Sequence, residues 1–179
     1  PSLKNQNHVK NNVNLNKSMI ITGPNAAGKT TILKSTIINL IFSQQVGYGF
    51  YTQAQFNPYK FIHSYINIPD SCSRDSLFQA EARRCKNILD IIDNNKNDRH
   101  FCVFDELYSG TNPYEAVSNA YGYLYHIIKN KNVKVILTTH YIELCKLFRK
   151  NKNIKNYSMS TNFDNDEPIY NYKLIKGYS

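Results

Sequence analysis

Residues 23–31 read GPNAAGKTT: Gly23, Pro24, Asn25, Ala26, Ala27, Gly28, Lys29, Thr30 and Thr31. Small residues let successive backbone N–H groups close around an anion, and Lys29 adds a mobile positive charge. The spacing G-x-x-x-x-G-K-[ST] is the one that cradles phosphate oxygens. Its lysine reaches the β- and γ-phosphates of a nucleotide, and the hydroxyl of Thr30 is a ligand for Mg²⁺. Further along, Phe101-Cys102-Val103-Phe104 runs into two adjacent carboxylates, Asp105 and Glu106. Asp105 suits the hydration shell of the metal. Glu106, pointing the other way, suits polarisation of an attacking water, a role worth roughly 10²–10⁴ in rate. Thr138-Thr139-His140 ends a third apolar run with an imidazole able to donate a hydrogen bond to a γ-phosphate. Taken singly, each has a plainer reading: a glycine-containing turn, a strand ending in solvated acids, a structural histidine. Together and in this order they point to a site that holds a nucleotide's phosphates with Mg²⁺ and directs water at the outermost one.

Such groups must be delivered to one edge of a sheet, and the flanking residues are of the right kind. Residues 17–22 (KSMIIT), 100–104 (HFCVF) and 133–139 (VKVILTT) read as buried strands. Ile32, Leu33, Ile37, Leu40 and Ile41 fall at helical spacing after Gly28. A second amphipathic helix is expected over 75–92, a third from Pro113 to 128, and a fourth over 141–148. Ser73, Arg74, Asp75 and Ser76 stand at the start of the second helix, after a turn signal at Pro69, Asp70 and Ser71. A serine there can serve as an anion site or as an ordinary N-cap, and the two are compatible. Residues 5–16 suit a strand or edge segment, 45–65 are aromatic and β-prone, and 155–160 with 169–175 suit a hairpin around Asp164, Asp166 and Glu167. Strand and helix alternate, which predicts an α/β fold with a largely parallel sheet.

Composition narrows the setting. The 179 residues carry 22 Lys+Arg and 13 Asp+Glu, a formal charge of +9. That excess suits nucleic acid, but it also follows from a general Asn/Lys/Ile/Tyr bias without any dense basic block. The longest apolar run, 37–42, is far below the roughly 20 residues of a membrane span. Cys72, Cys85, Cys102 and Cys145 are scattered, which argues against a disulfide framework or zinc site and for a reducing intracellular compartment, cytoplasm or nucleus. The chain opens on Pro1 and stops just after a strand-like run, so we expect one domain over residues 1–179 within a longer chain.

The order of motifs resembles the ATPase domain of the MutS family of DNA mismatch-repair and recombination proteins, a branch of the ABC-type ATPases. The marks are GPNAAGKTT, Ser76-x-Phe78-x-x-Glu81 followed by Asn87-Ile88-Leu89, DELYSGT over 105–111, Thr138-Thr139-His140-Tyr141 with Glu143-Leu144, and Tyr172-Lys173-Leu174 with Gly177. The resemblance implies a P-loop NTPase with an ABC-ATPase-like three-layer sandwich, its mostly parallel central sheet flanked by antiparallel edge strands. It implies pairing with a second such domain, as homo- or heterodimer, each ATP lying between one phosphate loop and the partner's signature helix. On that pattern Ser76 acts in trans on the γ-phosphate, Gly110 and Thr111 line the seam, and His8 or Val9 meets the adenine. A loop around Gln45 and Gly47 would lie near the nucleotide. DNA would be handled by domains outside this chain, with no membrane involved.

Departures from the family pattern are Ala26-Ala27-Gly28 where members often read Met-Gly-Gly, Tyr108-Ser109 where repair members commonly have Gly-Arg, and the absence of a Val-Pro-Ala element over 50–67. They suggest a divergent branch. Two other readings are an ATPase subunit of a membrane transporter, disfavoured by the missing Leu-Ser-Gly-Gly-Gln signature, and a nucleotide-binding regulatory module that does not hydrolyse ATP.

Overall fold

Strands and helices alternate along the chain as far as a closing pair of strands, and each strand that precedes a site motif is mostly apolar. In the computed structural model, which describes residues 8–66, 76–165 and 167–178, these are β1 (Ser18–Thr22), α1 (Lys29–Val46), β2 (Phe61–Tyr65), α2 (Leu77–Asn94) and β3 (His100–Asp105). They are followed by α3 (Pro113–Ile127), β4 (Val133–Thr138), α4 (Ile142–Phe148), β5 (Ile154–Asp164) and β6 (Glu167–Lys176). One six-stranded sheet has the order β2-β3-β4-β1-β5-β6. Its first five strands are parallel neighbours, and β6 closes the edge antiparallel to β5. The fold is therefore α/β with a mixed, mostly parallel sheet.

Burial of both faces explains why apolar residues dominate these strands instead of alternating with polar ones. In β1, Met19 and Ile21 point to one core with Leu33, Ile37 and Leu40 of α1, while Ile20 points to the other. That second core gathers Ile88 of α2, Leu124 of α3 and Phe148 of α4 around Phe104, Val135 and Leu137. Helices thus cover the sheet on both sides, α1 on one and α2, α3 and α4 on the other. Among the described residues no helix is long and apolar enough to cross a membrane.

The boundaries depart from the sequence reading in instructive places. Helix α1 runs on to Val46, because Gly47 supplies the left-handed C-cap (φ 71°) that ends it, its N–H reaching Ser43 O at 3.1 Å. Gln45 and Gly47 consequently lie at the far end of α1 from the phosphate loop, about 25 Å away by helical rise. This corrects their expected place near the nucleotide. Of the β-prone segment 45–65 only Phe61–Tyr65 pairs, and residues 8–17 form no strand. Instead Asn11 ties that segment to β6, donating to Tyr172 O (2.9 Å) and accepting from Leu174 N–H (2.7 Å). The turn at Pro69 and Asp70, the residues Ser71, Cys72, Ser73, Arg74 and Asp75, and Asp166 of the acidic turn lie outside the described residues.

Candidate functional site

Strand order creates the site. Strand β4 lies between β3 and β1, so the C-terminal ends of three strands sit side by side. In register, Thr138 of β4 faces Asp105 of β3 on one side and Ile21 of β1 on the other. This is the edge at which open α/β sheets hold ligands.

From β1 the chain turns through residues 23–28 into α1. Gly23 (φ 148°) and Gly28 (φ 92°) take backbone angles that favour glycine, and Ala26 (φ 65°) is also left-handed. Gly23 has a second reason to lack a side chain, since a Cβ there would come within 3.1 Å of Met159 Cβ. Ala27 is not among the positive-φ residues, and its methyl is buried in the α1-side core. The N-cap of α1 is Gly28, so no side chain caps the first-turn N–H groups.

Lys29, the first residue of α1, is only 5% exposed. Its Nζ donates to Gly23 O (2.9 Å) and Pro24 O (3.2 Å), and approaches His140 Nδ1 at 3.5 Å. Burial holds its pKa below the usual lysine value, with Glu106 and then Asp105 pulling it back up. Thr30 Oγ1 donates to Asp105 Oδ2 (2.9 Å), and Thr138 Oγ1 donates to Asp105 Oδ1. Glu106 follows in a left-handed conformation (φ 54°), its N–H bonded to Thr138 O at 3.0 Å. Its Oε1 lies 2.5 Å from His140 Nε2. An ammonium only donates, so His140 Nδ1 is the acceptor toward Lys29, and Nε2 carries the proton shared with Glu106.

Lys29, Thr30, Asp105, Glu106 and His140 therefore form one connected cluster around the loop. Two oxygen ligands of the kind that suit a hard cation, Thr30 and Asp105, already converge on each other. Ser76 N-caps α2 in a reciprocal box: Ser76 Oγ accepts from Gln79 N–H (3.3 Å), and Ser76 N–H donates to Gln79 Oε1 (3.0 Å). His8 and Val9 are exposed and lie two to three residues before Asn11, beside β6.

Tyr172 is a neighbour the motifs did not assign to the loop. Its ring sits where a Cβ on Gly28 would meet Cδ1 at 3.2 Å. The sequence offered a mark, Tyr172-Lys173-Leu174, but its placement depends on the β5–β6 pairing. The other residue without an assigned role is Glu81, buried at 2% exposure and bonded to the 109–110 turn.

The family model for MutS domain V matches residues 19–179. The chain belongs to the MutS domain V family. Similar proteins include the DNA mismatch repair protein MutS of Desulfatibacillum aliphaticivorans, 32% identical over 98% of this chain and 20% of its own length. Those of Persephonella marina (30%, over 96% and 20%) and Parabacteroides distasonis (33%, over 90% and 18%) are alike. The chain thus spans about a fifth of the MutS proteins it matches.

Proposed function

We propose that this MutS domain V binds and hydrolyses ATP with Mg²⁺ and that ATP-controlled pairing with a second such domain drives DNA-handling parts of a mismatch-repair or recombination protein. The observation that carries the reading is the convergence of Lys29, Thr30, Asp105, Glu106 and His140 on one loop at the sheet's C-terminal edge. The names of the relatives favour repair over a transporter subunit.

The chain's own residues divide the work. Residues 23–31 would wrap the phosphates with backbone N–H groups, and Lys29 would exchange the carbonyls of Gly23 and Pro24 for β- and γ-phosphate oxygens. Thr30 and Asp105 would hold Mg²⁺, which when bound supplies charge neutralisation at the β- and γ-phosphates. Glu106 would orient and polarise the attacking water for in-line displacement. His140, bonded to Glu106 on one side and close to Lys29 on the other, would keep the carboxylate aimed and sense the γ-phosphate. Ser76 would face the partner's γ-phosphate, with Gly110 and Thr111 along the seam. The base would extend past Gly28 toward Tyr172 and the segment holding His8 and Val9.

The test is ATP affinity, measured by equilibrium titration, for wild type and Lys29→Ala. We expect the variant to lose at least about a hundredfold in affinity, in line with the loss of a buried charge-assisted contact. Undiminished binding removes the phosphate-loop assignment.

A further inference from the structure

We propose that Glu81 is a positioning residue for Glu106: its carboxylate pins the 105–111 turn to the first turns of α2, so that the water-activating carboxylate and the partner-facing Ser76 move as one body. The inference rests on the ATPase reading above and goes beyond it in naming what joins the two halves of the machinery.

Glu81 lies five residues into α2 from its N-cap, at a place where a solvated carboxylate would be ordinary, yet it is buried. Three donors converge on it. Oε1 accepts from Ser109 N–H and from Ser109 Oγ–H, each at 3.0 Å, and Oε2 accepts from Gly110 N–H at 3.1 Å. A carboxylate is suited to this, because both its oxygens accept and neither carries a hydrogen. A glutamine of the same shape would set its amide N–H₂ against one of these donors.

The turn it holds has reason to need holding. Glu106 (φ 54°) and Tyr108 (φ 60°) both take left-handed angles that non-glycine residues seldom adopt, and such conformations persist where surrounding contacts fix them. At the start of the turn the fix is Glu106 N–H on Thr138 O; at its end it is Glu81. A second observation places the same two elements in tight register. A Cβ on Gly110 would fall 2.8 Å from Leu77 Cγ and 2.9 Å from Leu77 Cβ, so the turn is seated on the residue next to Ser76. Displacing the turn by an ångström would swing Glu106 off its bond to His140 and move Ser76 with it. Misplacements of that size are known to cost about a hundredfold in rate.

The experiment uses the full-length protein as wild type, Glu81→Gln and Ser109→Ala. It measures steady-state hydrolysis, ATP affinity by equilibrium titration, and thermal unfolding. We expect Glu81→Gln to lower kcat by about tenfold or more while ATP affinity stays within about twofold, the pattern of an interaction felt only at the chemical step. Its Tm should fall by a few degrees, because one buried donor is left facing another, while the protein stays folded at the assay temperature. Ser109→Ala, which removes one bond of three, should lower kcat by about two- to fivefold with affinity again unchanged. A Glu81→Gln kcat within twofold of wild type overturns the proposal. So does a fall in kcat matched by an equal loss of ATP affinity, which would make Glu81 a general support of the fold. If Glu81→Gln does not fold, an unaltered kcat in Ser109→Ala overturns it. A wild-type chain that does not hydrolyse ATP overturns the underlying ATPase reading instead.

Discussion

At the scale of single residues, the site's chemistry was legible because each motif packs its reactive groups into a few consecutive positions. The phosphate-loop glycines and Lys29 are met together wherever the strand before them lies. Contacts between motifs were not legible: nothing in the spacing of His140 shows that it reaches Glu106, since that depends on β4 lying between β3 and β1. The same holds for a buried histidine pair away from the site. His100 Nε2 meets the Asn95 carbonyl at 3.0 Å, so Nε2 holds the proton and Nδ1 accepts from His63 Nε2 at 3.1 Å. Burial first, then His100 and Arg84, hold the His63 pKa down to about 4. Between that value and the ordinary 6.5 the unfolded chain binds the extra proton, so His63 contributes stability above about pH 6.5 that is lost as pH falls toward 4. We expect the drop in unfolding free energy from pH 7.5 to pH 5 to be about 2 kcal/mol smaller in His63→Gln, which keeps a donor toward His100 but does not titrate. Parallel pH slopes for the two proteins in urea titrations would show that His63 plays no such part.

At the scale of elements, periodicity located all four helices, and the errors fell where one residue or one pairing decides a boundary. Gly47 ends α1 by its φ, a property that hydrophobic spacing does not carry, and residues 8–17 fail to become a strand because Asn11 side-chain bonds take the place of a backbone ladder. The start of α2 shows how one residue serves two ends. Ser76 caps the helix, and its removal in Ser76→Ala should lower stability by about 1 kcal/mol. Ser76→Asp restores an equally good cap while setting a negative charge where the partner's γ-phosphate would come. Stability by denaturant titration should therefore recover in the aspartate variant, whereas ATP hydrolysis should stay lost as in the alanine one. Hydrolysis that follows stability across the pair would leave Ser76 a cap and nothing more.

At the scale of the whole molecule, the cluster around Lys29 is built from one chain, yet Ser76 and the 109–111 turn stand at the start of α2 with no hydrogen bond to that cluster among the described residues. On the proposed pairing, each site takes Glu106 from one subunit and Ser76 from the other. Mixing experiments separate this from a site complete in one chain. Let Ser76→Ala and Glu106→Gln each be inactive as homodimers. If sites are shared, a dimer of one Ser76→Ala and one Glu106→Gln subunit contains one site with both residues intact and one with neither, so activity returns to about half of a wild-type pair. A wild-type subunit paired with a double variant then has each site broken once and stays inactive. If each site is complete within its own chain, the outcomes reverse: the two single variants stay dead together, and the wild-type subunit works beside the double variant. Steady-state ATPase measured on dimers purified with two different affinity tags reads the difference directly, and the reversed pattern would remove the trans role of Ser76 while leaving the phosphate loop, Asp105 and Glu106 in place.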